Sequence, residues 1–184
     1  MRKPALLLGV LVLLLVLAGC GGKEDKIRVF IIDNAGDPSA IQEQLQKKLQ
    51  DKLGSEPQVE VSTSALYDKQ KIFLEYAAKE NDIFILPEED MKMYAQQGSS
   101  QPLEDTFDAK AYPEGYFKGG VFSNDDSKAN DDGMVMEEHL FAIPVSKMKM
   151  FKDLQYAQKG LLATVTISSE HSEDAKKVLK AMTE

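Results

Sequence analysis

Apolar and polar positions divide the chain from residue 27 onward into segments that alternate between strand and helix. Three short runs predict strands: Ile27–Ile32, Val59–Ser62 and Ile83–Leu86. The first and third are nearly all apolar, as in strands that are buried on both faces. An amphipathic segment follows each run, and strands that alternate with helices favour a parallel sheet flanked by helices. The pattern therefore predicts an α/β fold.

The first helix is expected to start at Pro38 behind a capping Asp37, with a capping box of Ser39 and Gln42 as the alternative, and to end at Gly54. The second spans Leu66–Lys79, and the third runs from Pro87 to Gly98. The residues predicted to face the core are Ile41, Leu45, Leu49 and Leu53 in the first helix, and Leu66, Ile72, Phe73, Tyr76 and Ala77 in the second.

The second half of the chain has a weaker pattern. An irregular region begins at Pro102, and strand character returns at His139–Val145 and again at Leu161–Ile167, after a basic link over 147–160. We expect Ser172 to cap a last helix. Its predicted apolar stripe is Ala175, Val178, Leu179 and Met182.

The first 20 residues have the pattern of a secretory signal. A positive start is followed by an uncharged apolar run, Ala5–Leu17, which is shorter than the roughly 20 residues of a membrane-spanning helix. Leu17-Ala18-Gly19-Cys20 resembles the lipobox of bacterial lipoproteins, in which the cysteine receives a diacylglyceryl group and becomes the first mature residue. The resemblance implies a lipid anchor at Cys20 on the extracytoplasmic face of the cell membrane. A plain signal peptide or a signal anchor is the alternative.

The chain is thus expected to comprise a signal peptide over 1–19, a polar tether over 20–26 and one lobe over 27–184. Within the lobe, residues 123–133 form a polar acidic stretch that predicts a flexible loop. The tether spans at most about 20 Å when extended, so the lobe should lie close to the bilayer.

Charge and cysteine content exclude several classes of function. The formal net charge is −8, and removal of Arg2 and Lys3 with the signal leaves 20 basic against 30 acidic residues, a net of −10. Such a surface repels nucleic acid and does not grip anionic lipid. Cys20 is the sole cysteine, so its lipidation leaves no disulfide, thiolate nucleophile or cysteine metal site.

No motif for catalysis or metal binding stands out. The acidic loop does not fit an EF-hand, since placing Gly133 at position 6 puts Lys128 at position 1 and His139 at position 12. His139 and His171 lack metal spacing, and methionines near 134–150 suit core filling better than a soft metal site. There is no Gly-x-Ser-x-Gly elbow or phosphate loop. We therefore predict no enzyme activity, cofactor or metal.

Four short motifs resemble the extracellular solute-binding proteins that serve ABC importers. They are Asp82–Ile85, Pro102–Asp105, Phe141–Pro144 and Ser169–Ala175. In that family these segments belong to the first lobe, which starts with a strand after a lipobox and a tether. The resemblance covers most of residues 27–184. It implies a periplasmic-binding-protein-like lobe with three layers, a mostly parallel sheet in strand order 2-1-3, and added strands.

The family inserts a second lobe after the Phe-Ala-Ile-Pro strand, where this chain has only Val145–Gly160. Because a two-walled pocket buries most of a bound ligand, a single lobe predicts a shallow, open site. Two functions stay open. In the first, the chain is a binding module that holds a small solute or presents a surface to an ABC importer. Alternatively, it is an interaction or regulatory lipoprotein that contacts another envelope protein and binds no solute.

Ligands of parallel sheets collect beyond the carboxyl ends of the strands. The residues predicted for a ligand or partner site lie at or after the ends of two such strands: Asp33, Asn34, Asp37, Glu88 and Tyr94. The acidic residues are also explained by helix capping and by the positive helix dipole at the start of the third helix.

Overall fold

The computed structural model describes residues 26–123 and 133–184. In this part of the chain the strands are β1 (Lys26–Ile32), β2 (Gln58–Ser64), β3 (Ile83–Pro87), β4 (Tyr116–Phe122), β5 (Met134–Leu140), β6 (Ile143–Pro144) and β7 (Leu161–Val165). The α-helices are α1 (Gln42–Leu53), α2 (Lys69–Ala78), α3 (Glu88–Gln96), α4 (Lys149–Asp153) and α5 (Ser172–Thr183). Cys20 and nearly all of the predicted acidic loop lie outside the described residues. No helix of the described ranges is long and apolar enough to cross a membrane.

Five strands form the central sheet in the order β2-β1-β3-β7-β6. β1 pairs in parallel with β2 on one side and with β3 on the other. This confirms the predicted parallel core in the order 2-1-3. The added strands run the other way, since β7 is antiparallel to β3, and β6 is antiparallel to β7.

Helices cover both faces of the sheet, which confirms the three-layer α/β fold. In β1, Val29 and Ile31 point into the larger apolar cluster, and Phe30 and Ile32 point into the smaller one. α1, α4 and α5 cover the larger cluster, whereas α2 and α3 cover the smaller one. The predicted stripe of α5 is buried throughout: Ala175, Val178, Leu179 and Met182.

The prediction for α2 is wrong at three positions. Ile72 is fully buried and Tyr76 is partly buried, but Leu66 is 80% exposed and Phe73 is 61% exposed. Ala77 is exposed as well. The helix starts at Lys69 behind Asp68, whose side chain accepts a hydrogen bond from the Gln70 N–H. That start places Ile72 and Tyr76 on the inward face and leaves a second apolar face outside.

An antiparallel hairpin of β4 and β5 was not predicted. Its Gly119-Gly120 pair suggests a turn, yet it lies within β4. Gly119 is needed there because a Cβ would come within 2.5 Å of the Phe141 ring. β5 takes up the first two residues of the strand predicted over His139–Val145, and β6 comprises two more, Ile143–Pro144.

The segment Val145–Gly160 belongs to the core of the same lobe. It contains α4, and Met148 and Phe151 are buried in the larger apolar cluster. The prediction for the start of α5 needs a correction, since His171 occupies the N-cap position. Ser172 is the first helical residue, and its hydroxyl donates to the Gln101 side-chain carbonyl.

α1 also closes the outer edge of the sheet. The Val59 N–H donates to Gln50 Oε1 at 3.1 Å, and the Val61 N–H donates to Gln46 Oε1 at 2.9 Å. These amides point away from β1 along the edge strand. Because unpaired edge groups recruit further strands, the two glutamines protect β2 from such pairing.

Candidate functional site

The carboxyl ends of β1, β2 and β3 meet at one edge of the sheet because these strands are parallel. β7 begins at the same edge, where the Glu88 N–H donates to the Gly160 carbonyl at 2.7 Å. We call this region the strand-end edge. It comprises residues 33–37, 64–68, 88–90 and 156–160, and it includes four of the five site residues predicted from the sequence.

Asp33 follows β1 and is only 3% exposed. Its Oδ2 accepts a 2.8 Å hydrogen bond from the Tyr156 hydroxyl, and its Oδ1 accepts another of 2.8 Å from the Ala35 N–H. Burial, and then the hydrogen bond and charge of Asp33, raise the pKa of Tyr156. Gly36 packs against this pair, since a Cβ there would lie 2.9 Å from the tyrosine oxygen. Asp33 therefore fixes the β1 loop to the segment before β7.

Asn34 and Asp37 lie on the exposed side of the same loop. Asp37 is the N-cap of the short 3-10 turn over Pro38–Ile41, and its carboxylate accepts from the Ser39 N–H at 2.9 Å. Side-chain and backbone hydrogen bonds from Ser39 hold the pKa of Asp37 below its usual value. Asp37 thus has the capping role and remains accessible from solvent.

Glu88 opens α3 and pairs with Lys92 at 2.6 Å, one helical turn later. Tyr94, in contrast, lies outside the strand-end edge. It is half-buried and stacks on the Tyr76 ring with centroids 4.2 Å apart. Burial, followed by the charge of Asp90, raises the pKa of Tyr94. Its ring therefore supports the contact between α2 and α3, about 9 Å along α3 from Glu88 at 1.5 Å per residue.

A second tyrosine–aspartate pair spans the other side of this edge. The Tyr67 hydroxyl, after β2, donates to Oδ2 of Asp90 in α3 at 2.8 Å. Asp90 is 2% exposed, and Lys69 Nζ lies 3.7 Å from its other oxygen. Burial, helped by the hydrogen bond to Asp90, raises the pKa of Tyr67 to about 12. The pair thus joins the ends of β2 and β3.

The exposed side chains of this edge are mainly hydrogen-bond acceptors. Both tyrosines have raised pKa values, so each stays protonated and acts as a donor to its aspartate. Exposed oxygens come from Asn34, Asp37 and Glu89. Among the described residues, no three histidine, cysteine, aspartate or glutamate side chains could hold a metal ion. Such an edge suits a ligand or a partner surface that carries hydrogen-bond donors.

A large groove lies at the other end of the parallel strands, near the start of β1. It measures about 1320 Å³ and is lined by residues that include Ile27, Lys52, Gln58 and Lys177. Charges of both signs meet along its walls, since Lys177 pairs with Asp174 at 2.7 Å. The groove is open and lies at the amino ends of the parallel strands, where ligands of such sheets do not collect.

Sequence reasoning missed Tyr67 and Tyr156 at the strand-end edge, and it placed Asp90 only in the acidic start of the third helix. Tyr67 could have been found by applying to β2 the strand-end rule used for β1 and β3. Tyr156 carried no such signal, because it lies in a segment that predicted only a link. Its contact with Asp33 joins residues 123 positions apart in the chain.

No protein-family model matches the chain, and the search of curated proteins returns no match. Comparison with solved structures returns several extracellular solute-binding proteins. One, an extracellular solute-binding protein of family 1 from Alicyclobacillus acidocaldarius, is 17% identical with a TM-score of 0.41, and the match covers 65% of this chain and 27% of that one. The spermidine/putrescine ABC transporter substrate-binding protein from Streptococcus pneumoniae is 13% identical with a TM-score of 0.30, over 48% of this chain and 24% of that one.

Thiaminase I from Bacillus thiaminolyticus is also similar, at 12% identity and a TM-score of 0.44, over 86% of this chain and 79% of that one. The chain thus spans about a quarter of the length of the two solute-binding proteins. The matches to the two solute-binding proteins are likenesses to part of those chains.

Proposed function

We propose that the chain is a lipid-anchored, extracytoplasmic binding protein without catalytic activity. In this proposal it is a reduced solute-binding-like lobe that presents its strand-end edge to a ligand or a partner. An ABC importer or another envelope protein is the expected partner class, and nucleic acid is not.

One observation carries this proposal. Two buried aspartates, Asp33 and Asp90, each accept a hydrogen bond from a tyrosine of a neighbouring segment, both at 2.8 Å. These bonds hold the loops after β1 and β2 and the start of α3 in fixed positions. A preorganised, solvent-facing edge favours binding because little conformational entropy is lost when a ligand arrives. The absence of a facing wall in the described part of the chain favours a shallow contact.

Thermal denaturation of residues 24–184 against sugars, polyamines and amino acids tests the solute arm of the proposal. A ligand at 100 times its dissociation constant stabilises the fold by about 2.7 kcal/mol. Asn34→Asp should weaken that shift while leaving the ligand-free midpoint unchanged, because Asn34 is exposed. Gln44→Glu in α1 provides a matched, equally exposed control. A ligand shift that Asn34→Asp leaves intact would place the solute elsewhere.

The lipid anchor is tested separately. Metabolic labelling with a fatty-acid analogue should mark the wild-type chain, and Cys20→Ala should abolish the label. Labelling that persists in the variant would contradict an anchor at Cys20.

The interaction reading is favoured by one side chain. Leu66 follows β2 at the strand-end edge and is 80% exposed. An apolar residue beside the Tyr67–Asp90 pair suits a protein surface better than a small polar solute. A partner crosslinked on cells through this edge, with no shift from any solute, would select the envelope-interaction function.

A further inference from the structure

α2 has an apolar face on its outer side. Phe73 is 61% exposed and Leu74 is 60% exposed, and the next turn adds exposed Ala77 and Ala78. Residues at these spacings share one side of a helix. We call these four residues the outer α2 face. None of them is charged, although the predicted mature chain carries a net charge of −10.

The opposite face of α2 already packs on the sheet. Ile72 is fully buried, and the Tyr76 ring stacks on Phe84 with centroids 4.0 Å apart and planes within 3°. Lys71 pairs with Glu75 along the helix flank. A helix that is apolar on two sides is usually covered on both. Within residues 26–123 and 133–184, packing covers only the inner side of α2.

The position of α2 indicates what covers the other side. The helix runs antiparallel to β1, so its carboxyl end returns to the edge where β1 starts. Lys79, which caps α2, borders the same small indentation as Lys26 and Arg28. Lys26 is also where the described chain begins, six residues after the predicted anchor. Six extended residues reach at most about 20 Å, and Phe73 lies about 9 Å along the helix from Lys79.

From this arrangement we infer that the outer α2 face rests on the lipid bilayer, with Phe73 and Leu74 inserted at the headgroup–acyl boundary. The inference rests on the proposed anchor at Cys20. Exposed aromatic and aliphatic residues on a helix in the membrane plane bury about 5–10 Å into that boundary. The contact would add a second attachment to the acyl chains and orient the lobe, with α2 toward the membrane and α1, on the other face of the sheet, toward solvent.

The chain has no tryptophan, so a single one can report the contact. The full lipidated chain with Phe73→Trp is reconstituted into phosphatidylcholine vesicles, with and without brominated acyl chains. Gln44→Trp, in α1 on the opposite face of the sheet, is the control. Flotation of the vesicles first establishes that each variant is anchored. We expect blue-shifted emission and quenching by the brominated lipid for Phe73→Trp, and neither effect for Gln44→Trp.

Three results would overturn the inference while the anchor itself holds. The first is solvent-like, unquenched emission from Phe73→Trp in protein that floats with the vesicles. The second is equal quenching of both variants, which would mean that the lobe has no fixed orientation. The third is a concentration-dependent blue shift without lipid quenching, which would show that a second copy covers the outer α2 face. Failure to float, by contrast, would contradict the anchor.

Discussion

The Tyr67 hydroxyl lies 2.8 Å from Oδ2 of Asp90, and this contact joins the end of β2 to the first turn of α3. Asp90 is almost completely buried, so the carboxylate depends on this donor and on Lys69 for its interactions. The contact therefore positions the strand-end edge and contributes to the stability of the lobe.

Tyr67→Phe should lower the free energy of unfolding by about 1–3 kcal/mol, because it leaves a buried acceptor without its hydroxyl donor. Urea denaturation measures the change. Tyr116→Phe is the control, since Tyr116 is 42% exposed on the β4–β5 hairpin and should change little. Equal stability of the two variants would mean that Tyr67 does not support Asp90.

Gln46→Ala removes the side-chain acceptor of the Val61 N–H in the edge strand β2. A hydrogen bond of this kind contributes about 0.5–1.5 kcal/mol, and its loss leaves an edge amide open to another strand. We expect a modest loss of stability and increased self-association in sedimentation velocity. Gln44→Ala, two residues away on the exposed side of α1, should cause neither effect.

Acid should weaken the contact between Asp105 and Lys176. The hydrogen bond from the Lys176 ammonium is the main cause that holds the pKa of Asp105 below its usual value. A lowered folded-state pKa gives stability that is present above the unfolded pKa, about 3.9, and is lost as the pH falls through the folded value. Asp105→Asn should flatten that decline in urea denaturation series below pH 4. An unchanged pH profile would show that the pair has no share in acid stability.

Much of the fold follows from local patterns. The alternation of strands with helices along the chain predicted the parallel sheet, and the resemblance to solute-binding proteins implied the order 2-1-3. Phe73 shows where this reasoning fails, because helical periodicity shows that a face is apolar but not that a neighbour covers it. β4 escaped prediction because its two glycines are explained only by close tertiary contacts: Gly119 lies against the Phe141 ring, and Gly120 lies against the backbone of Gln96 and Gly98.

Part of the candidate site could also be predicted from the sequence. Asp33, Asn34, Asp37 and Glu88 lie at the strand-end edge because any parallel sheet brings its carboxyl ends together. Tyr156 could not be found, since its partnership with Asp33 depends on how the segment before β7 folds back. Tyr94 was predicted from its position after β3, but the rotation of α3 turns it toward Tyr76.

A single lobe should behave as one compact particle. Solution scattering on residues 24–184 should give a radius of gyration near 15 Å, as expected for a chain of this length, and no ligand should change it. A two-lobed envelope, a stable dimer or compaction with a ligand would show that a second wall exists.

Site-specific photo-crosslinking on intact cells tests most directly whether the strand-end edge is the binding surface. A photoreactive amino acid replaces exposed Leu66 or Asn34 at that edge. The control positions are Gln44 in α1 and Lys177 in the large groove. We predict a discrete protein adduct from positions 66 and 34 and none from positions 44 and 177. Adducts confined to position 177 or 44, with none from the strand-end edge, would contradict the proposed function.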